Sequence, residues 1–273
     1  MIAHEKDAVQ NEFFYCSVCM DENVTRDPFF YLWKDKRWSI MRCRNCRHQF
    51  VYPFVTQLEQ EEIYGDHYFS EEGDWVSGIW KLGYKDAEER LRKEAQLVLN
   101  MLPIRRGKLL EIGCAGGFFL DEARKSGFHV MGIEINRSMA THAEKQLGLT
   151  VIQGRIEDIE KDDFNNQFDV VVMMDILEHI PKPHSVIQRV NHWLTPHGFL
   201  LIRGPLVNNP IVTLKETLRR LTKIEKQLPG YPLDANMFNK KSLAHLVEQF
   251  DMKVCAWINE TNSFANVLAQ KSH

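Results

Sequence analysis

Long apolar runs are missing from this 273-residue chain. The longest are strand-sized, and none approaches the roughly 18 uninterrupted apolar residues of a membrane-crossing helix. A basic-then-apolar leader is missing as well: the chain starts MIAHEKDAVQNEFF, so secretion is not expected and a cytoplasmic location is. Charge of one sign is not in excess. Lys and Arg total 34 against 37 Asp and Glu, a net charge of -3, which removes any general electrostatic attraction for nucleic acid. The local basic run between Lys34 and Arg47 reads as the solvated face of a small domain. Internal repeats and low-complexity tracts are also absent. With 44% apolar and 26% charged residues the composition is that of an ordinary folded chain, long enough for one large core plus a small module.

Cysteine is sparse but organised. Of six cysteines, four form two pairs, Cys16-x-x-Cys19 and Cys43-x-x-Cys46, while Cys114 and Cys255 stand alone. A two-residue gap lets a tight turn aim both sulfurs at one tetrahedral ion, and two such knuckles supply the four thiolates of a closed structural zinc site. A disulfide pair is the competing reading, and a cytosolic chain argues against it. Between the knuckles, FFYLWKDKRWSIMRC alternates like a strand pair. The module is too short to bury a core of its own, so it is expected to unfold without its metal. His48, just past Cys46, reads as a packing or surface residue. Cys114 lies at a helix N-terminus, where a thiol pKa can fall, and reads as a small residue packed in its loop. Cys255 falls in a strand and reads as core.

Past the module, Pro53 breaks the chain and Tyr64, Tyr68 and Phe69 form an aromatic cluster. Apolar residues at helical spacing then predict a helix over 81–102. From Gly107 onward short apolar strands alternate with amphipathic helices, the pattern of a parallel sheet covered on both sides. The strands are expected at 108–112, 129–133, 150–153, 169–174 and 199–203, with helices centred on Ala123, Ala143 and Ile187. In such sheets ligands bind at the carboxyl ends of the strands.

The loop after the first of these strands, LLEIGCAGGFFL, fails the Gly-x-Gly-x-x-Gly fingerprint of nicotinamide enzymes twice, at Ala115 and at Phe118. What remains is Glu111-x-Gly113-x-Ala115-x-Gly117, an acid inside the strand end beside a short loop of exposed amides. An acid repels a pyrophosphate and attracts an ammonium group, which points to the aminoacyl tail of S-adenosyl-L-methionine.

The stretch resembles motif I of the class I S-adenosylmethionine-dependent methyltransferases. That resemblance implies a Rossmann-like α/β fold, a seven-stranded sheet with helices on both faces, and a cofactor held by Glu111, Gly113, Cys114, Ala115 and Gly117. Glu134, in VMGIEIN, would accept the ribose hydroxyls, with Ile135 beside it. GRIEDI resembles the adenine-contacting turn, with Arg155 where many relatives carry aspartate, so that the acid's role passes to Glu157 or Asp158. FDVVVMMDILEHIPKP resembles the corresponding segment of ubiquinone-biosynthesis O-methyltransferases and many sugar or small-molecule methyltransferases. There Met174 would line the cofactor pocket, and Asp175, Glu178 and His179 match a pattern associated with a divalent metal such as Mg2+. The three could hold such an ion or supply a base, His179 foremost; alternatively Glu178 and His179 hydrogen-bond neighbouring loops.

The expected domains are a zinc ribbon at 1–55, a helical linker or cap at 56–102, and a methyltransferase domain at 103–273 with a lid insertion at 206–238. Within the insertion, 209–228 is predicted as a basic amphipathic helix, with Leu214, Leu218, Leu221, Ile224 and Leu228 on one face. It would pack on the protein's own core or, over 211–228, lie on an anionic membrane. A helix at 241–250 and strands at 253–259 and 264–269 fit a closing antiparallel hairpin. The expected activity is methyl transfer to a small-molecule acceptor such as a sugar, quinone or lipid-like precursor. A zinc-bearing ribosomal RNA guanine methyltransferase and a non-catalytic binding protein are the alternatives, and the oligomeric state is left open.

Overall fold

The computed structural model describes residues 15–64, 84–207, 221–222, 224–230, 232–258 and 264–273. Two sheets organise the chain. The larger takes seven strands, β4 (Gly107–Ile112), β5 (Phe128–Glu134), β6 (Val151–Gln153), β7 (Phe168–Met174), β8 (Leu194–Pro205), β11 (Met252–Ile258) and β12 (Phe264–Lys271), in the order β11-β12-β8-β7-β4-β5-β6. From β8 to β6 neighbours are parallel; β12 runs antiparallel to β8 and to β11, the expected closing hairpin. The chain builds outward from β4 to β6, then returns to place β7 on the other flank of β4. That reversal opens a crevice at the carboxyl ends of β4, β5 and β7.

The strands are apolar without alternation because both faces are covered. Leu109, Val170, Val172 and Leu201 meet α2 (Tyr84–Met101), α3 (Phe118–Lys125) and α4 (Arg137–Leu147) on one face. Leu110, Val171, Met173 and Leu200 meet α5 (Pro183–Trp193) and α6 (Lys240–Glu248) on the other. Local signals set the helix ends, beginning with Thr56, which caps α1 (Gln57–Ile63) by accepting from the Glu59 amide. Asn136 caps α4 by accepting from the Met139 amide, and Gly148 ends it in a left-handed conformation. Pro183 opens α5, where its missing amide costs nothing. Arg92 on α2 pairs with Asp121 and Glu122 of α3 at 2.7 Å each, docking the capping helix on the sheet.

The smaller sheet holds the cysteines. Strands β1 (Val24–Trp33) and β2 (Lys36–Cys43) form the hairpin expected from the alternation, and β3 (Gln49–Tyr52) pairs with β2. Lys34 and Asp35 both sit at positive φ, 49° and 58°, the type I′ turn that matches strand twist. This sheet is completed from far away. β9 (Lys226–Leu228) joins β1 in parallel, and β10 (Asn236–Met237) joins β3 antiparallel.

The helix expected through 228 therefore gives way to a strand, and Leu221 and Ile224 are exposed, at 75% and 61%, rather than buried on an apolar face. Leu214 and Leu218 lie outside the described residues, as do Tyr68 and Phe69. No helix among the described residues is long and apolar enough to cross a membrane. Cys255 lies on β11 as expected but is exposed rather than core: β11 is an edge strand, and Cys255 is the extra residue of a β-bulge, unpaired between Val254–Ala269 and Ala256–Leu268.

Candidate active site and cysteine centre

Motif I is built as a strand that ends in acid and a loop that needs glycine. Glu111 is 3% exposed at the end of β4, and its Oε2 is buried with no hydrogen-bond partner among the described residues. Burial, then the charge of Glu134, raises its pKa well above the ordinary carboxylate range. Gly113 turns at φ 74°, and a Cβ there would lie 2.2 Å from the Ile176 side chain. Gly117, at φ 84°, caps α3 where a Cβ would meet Ala143 and Leu149 at 2.8 and 2.6 Å. The two glycines are thus required by both conformation and space. Ala115 also takes a positive φ, 44°. Cys114 is buried, and burial followed by Glu111 and Glu134 raises its thiol; the small-residue reading holds, and the helix N-terminus does not activate it.

Glu134 ends β5 at 4% exposure. Its Oε2 accepts from the Ala115 amide at 2.8 Å and its Oε1 from the Asn136 amide at 2.7 Å. One carboxylate thereby ties the glycine loop to the neighbouring strand, and its acceptor capacity exceeds the amides of Ala115, Asn136 and Ile135 that face it. Burial raises its pKa, opposed by those amides.

Two clefts flank this loop and share Gly113. One, of about 530 Å³, is lined by Ile135, Ile156, Glu157, Tyr64, Ile176 and His179. Arg155 pairs with Glu157 at 3.2 Å, so the acid of this turn is held at the cleft wall. The other, of about 640 Å³, is lined by Glu111, Ala115, Met174, Asp175, Glu94 and Arg203. Of the residues expected to contact the cofactor, Glu111, Gly113, Cys114, Ala115, Ile135, Glu157 and Met174 line one of these clefts, while Gly117 closes the loop and Glu134 stands behind it, bound to the Ala115 amide. Glu94 and Arg203 were not anticipated. Arg203 lies at the carboxyl end of β8, where position alone could have flagged it, 3.4 Å from Glu94 and 3.8 Å from Asp175.

Asp175, Glu178 and His179 share one turn but do not converge. Among the described residues, the only group of three or more metal-capable side chains with ligand atoms within 4.8 Å of one another is the four cysteines. Asp175, Glu178 and His179 are therefore not gathered as a ready ligand set in this structure. Asp175, at φ 53°, faces Arg203. Glu178 is 4% exposed, packs beside Gly204, and is raised well above the ordinary range by burial. His179 turns toward the insertion: its Nδ1 lies 3.2 Å from the Leu233 carbonyl and 3.4 Å from Asp234 Oδ1. Burial lowers its pKa, opposed by Asp234.

The cysteine centre matches its expectation. Cys16 and Cys46 sulfurs are 3.6 Å apart, Cys19 and Cys43 3.5 Å, close to the sulfur separation of about 3.8 Å that a tetrahedral ion with 2.3 Å bonds requires. The Cys46 contact lowers Cys16 to about 6 and raises Cys46, while burial pushes Cys19 up to about 12. A set of sulfurs this close can be fully ionised only around a cation. His48 is not part of it; its Nε2 donates to Asn236 Oδ1 at 2.8 Å.

Residues 85–256 match the family model described as a methyltransferase domain. Among curated proteins, the chain is 30% identical over 139 residues to a ubiquinone biosynthesis O-methyltransferase of Shewanella halifaxensis, covering 50% of this chain and 58% of the relative. It is 36% identical over 142 residues to the protein of that name from Actinobacillus pleuropneumoniae, covering 49% and 58%. The chain thus spans somewhat over half the length of such relatives. Among solved structures, the magnesium protoporphyrin IX methyltransferase of Synechocystis with bound SAH shares the fold at TM-score 0.55 and 14% identity, over 78% of this chain and 100% of that one. A match to more than half of its length by the family model places the chain in the methyltransferase domain family.

Proposed function

We propose that the chain transfers a methyl group from S-adenosyl-L-methionine to a hydroxyl of a small-molecule acceptor such as a quinone precursor, sugar or lipid-like compound. The observation that carries this is Glu111: a buried carboxylate oxygen without a partner among the described residues, at the edge of a glycine loop, is suited to a cation. The aminoacyl tail supplies an ammonium for Glu111 and a carboxylate for the opposite charge, Arg203, across the same cleft. Glu134 offers its remaining lone pairs to the ribose, and Ile135, Ile156 and Glu157 bracket the adenine. When bound, the cofactor supplies a sulfonium methyl open to in-line attack. The chain's part is to align acceptor and methyl, which accounts for much of the rate in such transfers, and to take the hydroxyl proton at His179 Nε2.

The names of the relatives favour oxygen as the nucleophile. Cys16, Cys19, Cys43 and Cys46 would hold a structural zinc ion, which requires reduced thiols and so fits the cytoplasm. No step is assigned to a divalent ion at Asp175. Calorimetry with S-adenosyl-L-methionine tests the reading. The expected result is binding to the native protein that Glu134→Ala weakens by about tenfold or more, the scale of hydrogen bonds to a charged group. Absence of binding to the native protein would overturn it.

A further inference from the structure

We propose that Asp234 is a positioning residue for His179, and that the cysteine lobe delivers it there. The inference rests on His179 as the base of the reading above. Two acceptors face its Nδ1, the Leu233 carbonyl at 3.2 Å and Asp234 Oδ1 at 3.4 Å. A neutral imidazole between such neighbours carries its proton on Nδ1 and keeps the Nε2 lone pair. Glu178 Oε1 stands 4.0 Å from Nε2, beyond hydrogen-bond reach, so that among the described residues the lone pair is left for an acceptor's proton. Tyr64 completes the setting, its ring 5.5 Å from the imidazole and its hydroxyl donating to the same Leu233 carbonyl at 3.3 Å.

Asp234 belongs neither to the seven-stranded sheet nor to the turn that carries His179. What brings it there is the strand that follows. The Val51 amide donates to the Ala235 carbonyl at 2.9 Å, and Asn236 pairs with Phe50 across β10 and β3. The Asn236 side chain, 1% exposed, uses both ends. Its Oδ1 accepts from Ser17 Oγ at 2.7 Å and from His48 Nε2 at 2.8 Å, and its Nδ2 donates to the Ile180 carbonyl at 2.5 Å. Ser17 lies inside the first cysteine pair and His48 just past the second. One buried amide thus fastens both knuckles to the residue next to His179, while Asp234, two positions earlier, faces the ring.

The test reads the ring itself. In the uniformly 15N-labelled full chain, long-range 1H–15N correlation with His179→Gln as the assignment control should show neutral His179 protonated at Nδ1. Asp234→Asn should raise the Nε2-protonated fraction, and Asp234→Glu should restore Nδ1 protonation in part. Asn236→Asp, which keeps the acceptor toward Ser17 and His48 but loses the donor to Ile180, should move the ring in the same direction by less. With labelled S-adenosyl-L-methionine and a panel of phenolic and sugar acceptors, Asp234→Asn should lower kcat about ten- to a hundredfold, at or below the low end of what a positioned base contributes, with KM for the cofactor within about twofold. Identical His179 spectra in the native protein and both Asp234 variants would overturn the positioning role. An unmoved ring in Asn236→Asp would overturn the lobe's part in it. If the ring responds but no cofactor binds, the methyl-transfer reading falls and the positioning stands.

Discussion

The two sheets of this protein are held by different means. In the seven-stranded sheet Leu109, Leu110, Val170, Val171, Val172 and Leu200 are fully buried, and the strands pair mostly with neighbours close in sequence. In the five-stranded sheet the centre is four cysteines, Ser17, His48 and Asn236, and two strands arrive from residues 226–237. A large sheet buries enough apolar surface to stabilise itself; a small one needs a cross-link. The two are nevertheless not independent, since Cys16, Val18, Cys43, Cys46 and Phe50 share one continuous apolar cluster with Leu110, Val171 and Ile187.

Metal removal gives the largest expected effect and is the way to break that comparison. Structural zinc sites contribute about 10 kcal/mol or more at neutral pH, so chelation is expected to collapse the lobe and, through the shared cluster, to lower the melting temperature of the whole chain. Circular dichroism during the melt checks this; an unchanged helical transition alongside metal loss would mean that the sheet stands alone.

Glu111→Gln sharpens the comparison from the other side, because it alters the cleft and leaves the lobe untouched. An ammonium needs the ionised carboxylate, whereas burial and Glu134 favour the protonated one. Affinity for S-adenosyl-L-methionine is therefore expected to fall as pH is lowered through the raised pKa of Glu111, and the variant to bind about tenfold more weakly with that pH dependence removed. Calorimetry across pH reads both. In the free protein the sign is opposite: the folded state holds this proton more tightly than the unfolded chain, so the stability it contributes is present at acidic pH and is lost as pH rises through the folded pKa.

The smallest effect contrasts one residue type in two settings. Cys255→Ser, at an exposed bulge in an edge strand, should change unfolding free energy by no more than about 0.5 kcal/mol, measured in urea. A larger loss would place Cys255 in a contact that its exposure does not reveal.

Legibility followed the range of the interactions. The strands from β4 to β8, the loop at 111–117 and Glu134 could be read directly, because a strand, its turn and the acid at its end are specified by residues adjacent in sequence. The cysteine set could be read because two Cys-x-x-Cys pairs have few other uses. The arrangement of Asp175, Glu178 and His179 was not legible: closeness in sequence does not make side chains converge, and Asp175 leaves the turn at positive φ toward Arg203. Cys255 departs from its core reading because a β-bulge in an edge strand leaves it unpaired, and a bulge has no signal in the local alternation.

By itself, then, the sequence determined the α/β class, the glycine loop after β4 and the cysteine centre, each written in a local pattern whose chemistry depends on spacing. Tertiary structure alone decided that residues 226–237 would finish the cysteine sheet, that Arg203 would share a cleft with Glu111, and that Asp234 would face His179. Those contacts join residues far apart in the chain, and only the packing of two sheets around one core brings them within a few ångströms.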